Sequence, residues 1–386
     1  MTWGVIDDES IAEAEELIGV PLRRDTWRWV TEATKDAISH FAESVGDDNP
    51  LYTDVEYGRN SAWGTILAPP CFLFAVDGTT VAPKLAGVQW IYAGCDWVWN
   101  DVIRRGDEFK VTSQLTGVER KSTSFAKEWV MQDGRVDYFR PDGTLLAVAN
   151  SKIARTPRGQ VLDKANGGKP KYEVRTTHRY TQEQLDKIEY EALHEPRQGA
   201  EPRYWEDVNV GDEVPAVVKG PLTGTDLVGW YSAVQGARPY GGTFELVYKY
   251  RQRHADYHIN AETGARDSAG RGHLEVQTGV DVGMGGAYDI GPHRIALCGH
   301  LMTNWMGDTG FLRRLNVTVR RPVLLGDTLW WKGEVTGKDI VDGYHRVAVA
   351  VTGITQREEK VSWGTAEVYL PSKESGPVSL PIPVAG

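Results

Sequence analysis

Residues 45–52 read VGDDNPLY and gather two carboxylates, an amide and a phenol within one short stretch. Such a stretch can end a helix, because Asp and Asn side chains satisfy free backbone N–H groups. It can equally be a turn that aims an acid and a base at one pocket, with Pro50 setting its path. A second concentration, HADYH at residues 254–258, packs two imidazoles and a carboxylate into five positions. His254 and His258 would share a face of a helix, a spacing also used for metal ligands, but no further residue completes a ligand set and no metal is expected. Asp256 with His258 is the acid/base pair this cluster offers, and a solvated charged loop is its plain structural reading. His273, His293 and His300 follow at wider spacing.

Helical periodicity over residues 25–44 (DTWRWVTEATKDAISHFAES) predicts a helix that delivers the chain to VGDDNPLY, with Gly46 as its stop. After Pro69-Pro70 comes a short apolar run, CFLFAV. From about residue 88 to 154 the pattern turns to strands: WIYAGCDWVWN, EFKVTSQLTGVER, SFAKEWVMQ and TLLAVANSKIA. A polar stretch, 161–200, reads as a linker with one short helix near 181–193. A further short helix at TGTDLVGWYSAVQG, a long excursion at 237–286 and an apolar run, IALCGHLMTNWM, precede four more strand-like segments.

The two strand blocks share a plan. RRGDEFKVTSQLTGVERK is echoed by LLGDTLWWKGEVTGKDI, with Gly106-Asp107 and Gly326-Asp327 separated by 220 residues. Order, spacing and flanking pattern agree, so the chain reads as a duplication in which each unit is a helix followed by a meandering antiparallel sheet. The expected units are 1–160 and 201–375, the second with a long insertion near 240–286, followed by a tail at 376–386.

Composition narrows the function class. A formal charge of −10 over 386 residues argues against a general nucleic-acid surface. No apolar run approaches a membrane span, and three scattered cysteines without a CxxC pair suit a reducing compartment. The acidic N-terminus lacks the apolar core of a signal peptide, so a cytoplasmic protein is expected. There is no phosphate-binding GxxxxGK[ST], no Rossmann glycine pattern and no GxSxG elbow. The basic runs RRDTWR, RRGD and RRPV are short and separated; they read first as solvated strand ends, with salt-sensitive contacts to the phosphates of a ligand as the other reading.

AESVGDDNPLYTDVEYGRNSAWGTILAPPCFLFA and GPHRIALCGHLMTNWMGDTGFLRRLNVTVRRPVLLGDTLWWKGEVTGK resemble the MaoC-like, FAS1-like dehydratases, relatives of the R-specific enoyl-CoA hydratases. That resemblance implies an α+β double hotdog, two fused units each wrapping an antiparallel sheet around a central helix and joined edge to edge. It implies a hydratase or dehydratase acting on an acyl-CoA thioester. No cofactor follows beyond the coenzyme A of the substrate. The implied partners are a second copy of the chain, in a homodimer or larger homo-oligomer, or a second MaoC-like subunit.

The family motif G-D-x-N-P-[apolar]-H holds a water between Asp and His. Here Asp47 matches the aspartate and Asn49 the asparagine, while Tyr52 replaces the histidine. A phenol is a poor base at neutral pH but can donate a hydrogen bond. In the second half the motif position falls on GARPY, where Arg238 and Tyr240 stand; Arg238 could bind an acidic acyl group. By the same match Gly299 and His300 fall at the start of a second helix and become the expected donors to the thioester oxygen, whereas Pro69-Pro70 removes two such donors in the first half. Two rival readings stay open: a hotdog thioesterase, and a non-catalytic acyl-CoA-binding subunit.

Overall fold

The computed structural model describes residues 4–24, 30–122, 128–156, 172–235, 245–253, 257–259 and 263–383. In the first half, four strands follow the predicted pattern: β1 (Gln89–Trp99), β2 (Lys110–Lys121), β3 (Trp129–Phe139) and β4 (Leu145–Thr156). The second half adds β5 (Glu213–Lys219), β6 (Phe311–Val319), β7 (Leu329–Val341), β8 (Tyr344–Thr355) and β9 (Lys360–Tyr369). Along β3 and most of β8, alternate residues are buried, as expected of strands with one face on a core.

All nine strands form one antiparallel sheet in the order β2-β3-β4-β1-β6-β9-β8-β7-β5. The two units therefore join edge to edge along β1 and β6, where Val317 pairs with Cys95 and Leu315 with Trp97. Each central strand covers the other's free edge.

The duplication is visible down to hydrogen bonds. In the first unit the Asp107 carboxylate accepts from the Arg104 N–H at 2.8 Å, and Gly106, at φ +89°, donates to Ala33. In the second, Asp327 accepts from Leu324 at 3.1 Å, and Gly326, at φ +87°, donates to Leu222. Only glycine takes that backbone conformation without strain, which is why GD recurs at the same place. The bulge at Leu115/Gly117 in β2 also recurs at Val335/Gly337 in β7.

Four helices position the interior: α1 (Lys35–Ser44), α2 (Gln182–Leu193), α3 (Gly224–Val234) and α4 (Gly291–Met306). The helix expected over 25–44 begins only at Lys35. Thr34 is extended, and its side chain accepts from the Ala37 N–H, a strong N-terminal stop; residues 25–29 lie outside the described residues. α4 is buried at every position from His293 to Met306, its polar residues His300, Thr303 and Asn304 included. It is the central helix of the second unit. Its first-unit counterpart is short, a 3-10 turn at Pro70–Phe72 running into Leu73–Val76.

α1 and α3 meet through Phe41 and Trp230, with ring centroids 5.7 Å apart. α2 lies where the linker helix was expected, closed by a Thr181/Gln184 capping box. The stretch beyond residue 375 is more than a tail: Ile382 is buried, and its N–H donates to the Asn100 carbonyl at 2.7 Å. Among the described residues no helix is long and apolar enough to cross a membrane.

Candidate functional site

VGDDNPLY forms a buried turn between α1 and a short helix, Pro50–Thr53. Asn49 is that helix's N-cap: its Oδ1 accepts from Leu51 at 2.9 Å, while its Nδ2 donates to Asp308 at 3.1 Å. Tyr57 donates to the other oxygen of Asp308 at 2.5 Å, and the Trp63 indole to its carbonyl at 2.8 Å. The residues of the turn are thus tied to the end of α4, in the other unit.

Asp47, only 2 % exposed, accepts from the Asn49 N–H at 3.1 Å and from the Thr303 hydroxyl at 3.4 Å. Burial pushes its carboxyl up to about 6. Tyr52 is also buried, and desolvation, then the charge of Asp47, push its phenol well above the usual range. It is neutral, and not a base.

His300 comes from α4 to stand beside this turn. Its Nε2 lies 3.8 Å from both Asp47 Oδ1 and Glu195 Oε2. Desolvation holds its pKa well below the imidazole range, so at neutral pH the ring is uncharged and these contacts are not ion pairs. Neither ring nitrogen has a hydrogen-bond partner of good geometry. The linker closes the site. Glu195 accepts from Lys219 at 3.2 Å and from the Val218 N–H at 2.9 Å, and Arg197 pairs with Asp48. Gln198 donates to the Asn304 carbonyl and Asp308 to the Gly199 carbonyl, both at 2.9 Å. Next to this turn a void of about 30 Å³, room for one or two waters, lies around Tyr52, Pro70 and Asp308, and neither Asp47 nor His300 lines it.

The same arrangement in the other direction encloses about 390 Å³. This cavity lies between the end of the short first-unit helix (Phe74–Gly78), the end of α3 (Trp230, Val234, Gln235) and the start of α4 (Ile290–Pro292). Tyr92, Met284 and Tyr288 line its walls. Trp230 stacks on His293, centroids 4.8 Å apart, and His293 Nε2 donates to the Ser44 carbonyl at 3.0 Å. Burial lowers His293 to about 4, so it is a neutral, packed wall residue.

His273 also lines the cavity. Its Nδ1 sits 2.9 Å from the Tyr288 carbonyl and 3.0 Å from that of Asp289. Two carbonyls can only accept, so Nδ1 carries the proton and the lone pair is on Nε2. Burial lowers its pKa, which keeps the ring neutral. Asp77, on the same wall, is committed to Arg24 through bonds of 2.8 and 2.6 Å. Asp289 is likewise committed to a bidentate pair with Arg294. At the start of α4 the first-turn N–H groups of Gly291 and His293 lack intrahelical acceptors, and Pro292 has none to offer.

The expected oxyanion donors do not stand at a helix start. Gly299 and His300 lie in the second half of the sixteen-residue α4, where each N–H points back to the carbonyl four residues earlier. Gly299 is small for another reason: a Cβ there would stand 2.8 Å from Cys71 Sγ, where the two central helices cross. The helix start is at Gly291, because residues 291–294 continue the helix before the apolar run begins. Arg238, Tyr240, His254 and Asp256 lie outside the described residues. The backbone of His258 is in a two-stranded ribbon, Tyr257–Ile259 with Arg266–Ser268, so it is not on a helical face; its side chain lies outside the described set. His273 received little weight from sequence, since an isolated histidine in a glycine-rich loop carries no motif.

Comparison with known proteins agrees with this architecture. Residues 17–136 match the FAS1-like dehydratase domain region. A UPF0336 protein of Streptomyces avermitilis is 30% identical over 95 residues, 23% of this chain; the match spans 63% of that protein's length. A solved MaoC-like dehydratase superposes with a TM-score of 0.64 at 15% identity, covering 93% of this chain and all of its own (100%). A conserved hypothetical protein of Mycobacterium tuberculosis with a double hotdog fold gives 0.51 at 11% identity, covering 96% of each chain. The protein therefore has the double hotdog fold of the MaoC-like dehydratases, and its first unit matches the FAS1-like dehydratase domain region.

Proposed function

We propose that the protein is a hydratase or dehydratase of an acyl-CoA thioester, and that its chemistry takes place in the second-unit cavity. The observation that carries this reading is the meeting of a neutral histidine, His273, and the open start of α4 around one space of about 390 Å³ in a MaoC-like fold. In the hydration direction, the thioester oxygen of a 2-enoyl group accepts from the Gly291 N–H. His273 Nε2 removes a proton from water as the water oxygen bonds to C3, and the electron pair of the C2–C3 double bond moves toward the thioester as an enolate. His273 then returns that proton to C2, so that one water is added overall. Elimination is the reverse. Gln235 lines this cavity, and the residues that follow it in sequence include Arg238, Tyr240, His254, Asp256 and His258, the candidates for a second acid or base.

The test is a mass-spectrometric screen of the purified protein alone against a panel of enoyl-CoA thioesters. A product heavier by one water, lost in His273→Asn, is the expected result. Release of free coenzyme A would instead make the protein a thioesterase. Retention of unchanged thioester would make it a binding subunit.

A further inference from the structure

Two of the basic runs that looked like separate strand ends meet at the mouth of the second-unit cavity. Arg23 comes from the first unit and Arg320 and Arg321 from the end of β6, and all three line its rim. The third run, at Arg104-Arg105, does not reach it. Arg320, Arg321 and Tyr172 also line an adjoining recess of about 450 Å³, together with Arg175 and Glu173. Glu359 holds Arg175 at 2.6 and 2.9 Å and Arg321 at 3.3 Å, which fixes two guanidinium groups in place with one carboxylate. Arg320 is exposed, its backbone anchored by the Tyr172 hydroxyl at 2.7 Å, and its guanidinium meets no carboxylate among the described residues. Trp90 stands at the same rim, 41% exposed. A locally cationic mouth beside an uncovered indole is unexpected on a chain of net charge −10.

We propose that this recess receives the phosphate-bearing end of the thioester's carrier, with Arg320 as its main contact and Trp90 as an aromatic flank. The inference rests on the thioester reading above. Guanidinium groups pair with phosphate oxygens in a planar, two-point fashion, and an indole face suits a nucleobase or the arm leading to one. The acyl group would enter the aromatic cavity while the phosphates stay at the rim, half in water, where their binding is weakened by salt.

Calorimetry with coenzyme A, with pantetheine and with a phosphopantetheinylated acyl-carrier protein tests this, alongside turnover of an enoyl-pantetheine. Coenzyme A is expected to bind about tenfold or more tightly than pantetheine. Arg320→Ala should remove about tenfold of that affinity and flatten its salt dependence, leave pantetheine binding unchanged, and be partly rescued in Arg320→Lys. The same dependence on Arg320 for the carrier protein in place of coenzyme A would keep the site and assign its phosphate to the prosthetic arm. Equal carrier affinity in wild type and Arg320→Ala would overturn the recess while leaving the thioester reading intact. Failure of every carrier to bind, with no turnover of enoyl-pantetheine, would overturn both.

Discussion

Two spaces in this molecule are built from matching parts, and they differ more than tenfold in volume, about 30 Å³ against about 390 Å³. Each lies where the segment after one unit's outer helix meets the start of its own central helix and the end of the other unit's. In the first unit that start is Pro69-Pro70 and the linker has folded over the rest: Glu195, Arg197 and Gln198 occupy the approach to Asp47 and His300. In the second, α4 starts at Gly291 with free N–H groups, and aromatic side chains hold the walls apart. Acid and base residues are present in both. What distinguishes the two is the room left beside those residues.

The sharpest way to break this comparison is kinetic. His273→Asn should lower kcat by about 10²–10³-fold, and His300→Gln by no more than about twofold, as steady-state turnover of a responsive enoyl thioester would show. The wild-type rate should rise with pH up to His273's lowered pKa and stay level above it. A large loss in His300→Gln with little in His273→Asn would transfer the chemistry to the first unit.

A second prediction concerns stability. Asp47's pKa is raised to about 6 in the fold from 3.8, so the native state binds the extra proton between those values and stability falls as pH rises through that window. Asp47→Asn removes this penalty. The variant should gain on the order of 2–3 kcal/mol at pH 7.5, shrinking toward zero at pH 4, in urea melts across that range. His300 works in the opposite sense: its depressed pKa costs stability below pH 6.5, a loss that His300→Gln should remove. A wild-type Asp47 that stabilises the fold at pH 7.5 would mean the first site is tuned for an ionised carboxylate.

A third tests the helix crossing. Gly299→Ala should destabilise by about 1–3 kcal/mol through the Cys71 contact, with relief in the Cys71→Ala background. Independence of the two changes would show that the crossing is loose. The smallest effect is expected at the linker's surface. Arg197→Ala breaks a pair with the largely exposed Asp48 and should cost less than about 1 kcal/mol in the same melts. A larger loss would show that Arg197 itself helps to keep the first site shut.

The fold was legible in the chain because its signals are local and repeated. The GD turns need a positive φ, the strands alternate, and a run such as IALCGHLMTNWM is mostly apolar, as a buried helix is. The site was only partly legible. VGDDNPLY identified the turn but not its neighbour, because His300 reaches Asp47 from a helix more than 250 residues away. The start of α4 was misplaced because Gly299 suggested a helix end, whereas its cause is a sulfur atom on another helix.

The sequence by itself determined two units of one plan and the VGDDNPLY turn, which depend on residue type and short-range spacing, while the hotdog wrap and the edge-to-edge join were what the resemblance implied. Tertiary structure alone decided which of two similar clefts stays open, which histidine lines it, and where separated arginines converge. Those outcomes turn on long-range packing and desolvation, which set cavity volume and proton affinity and leave no periodic trace along the chain.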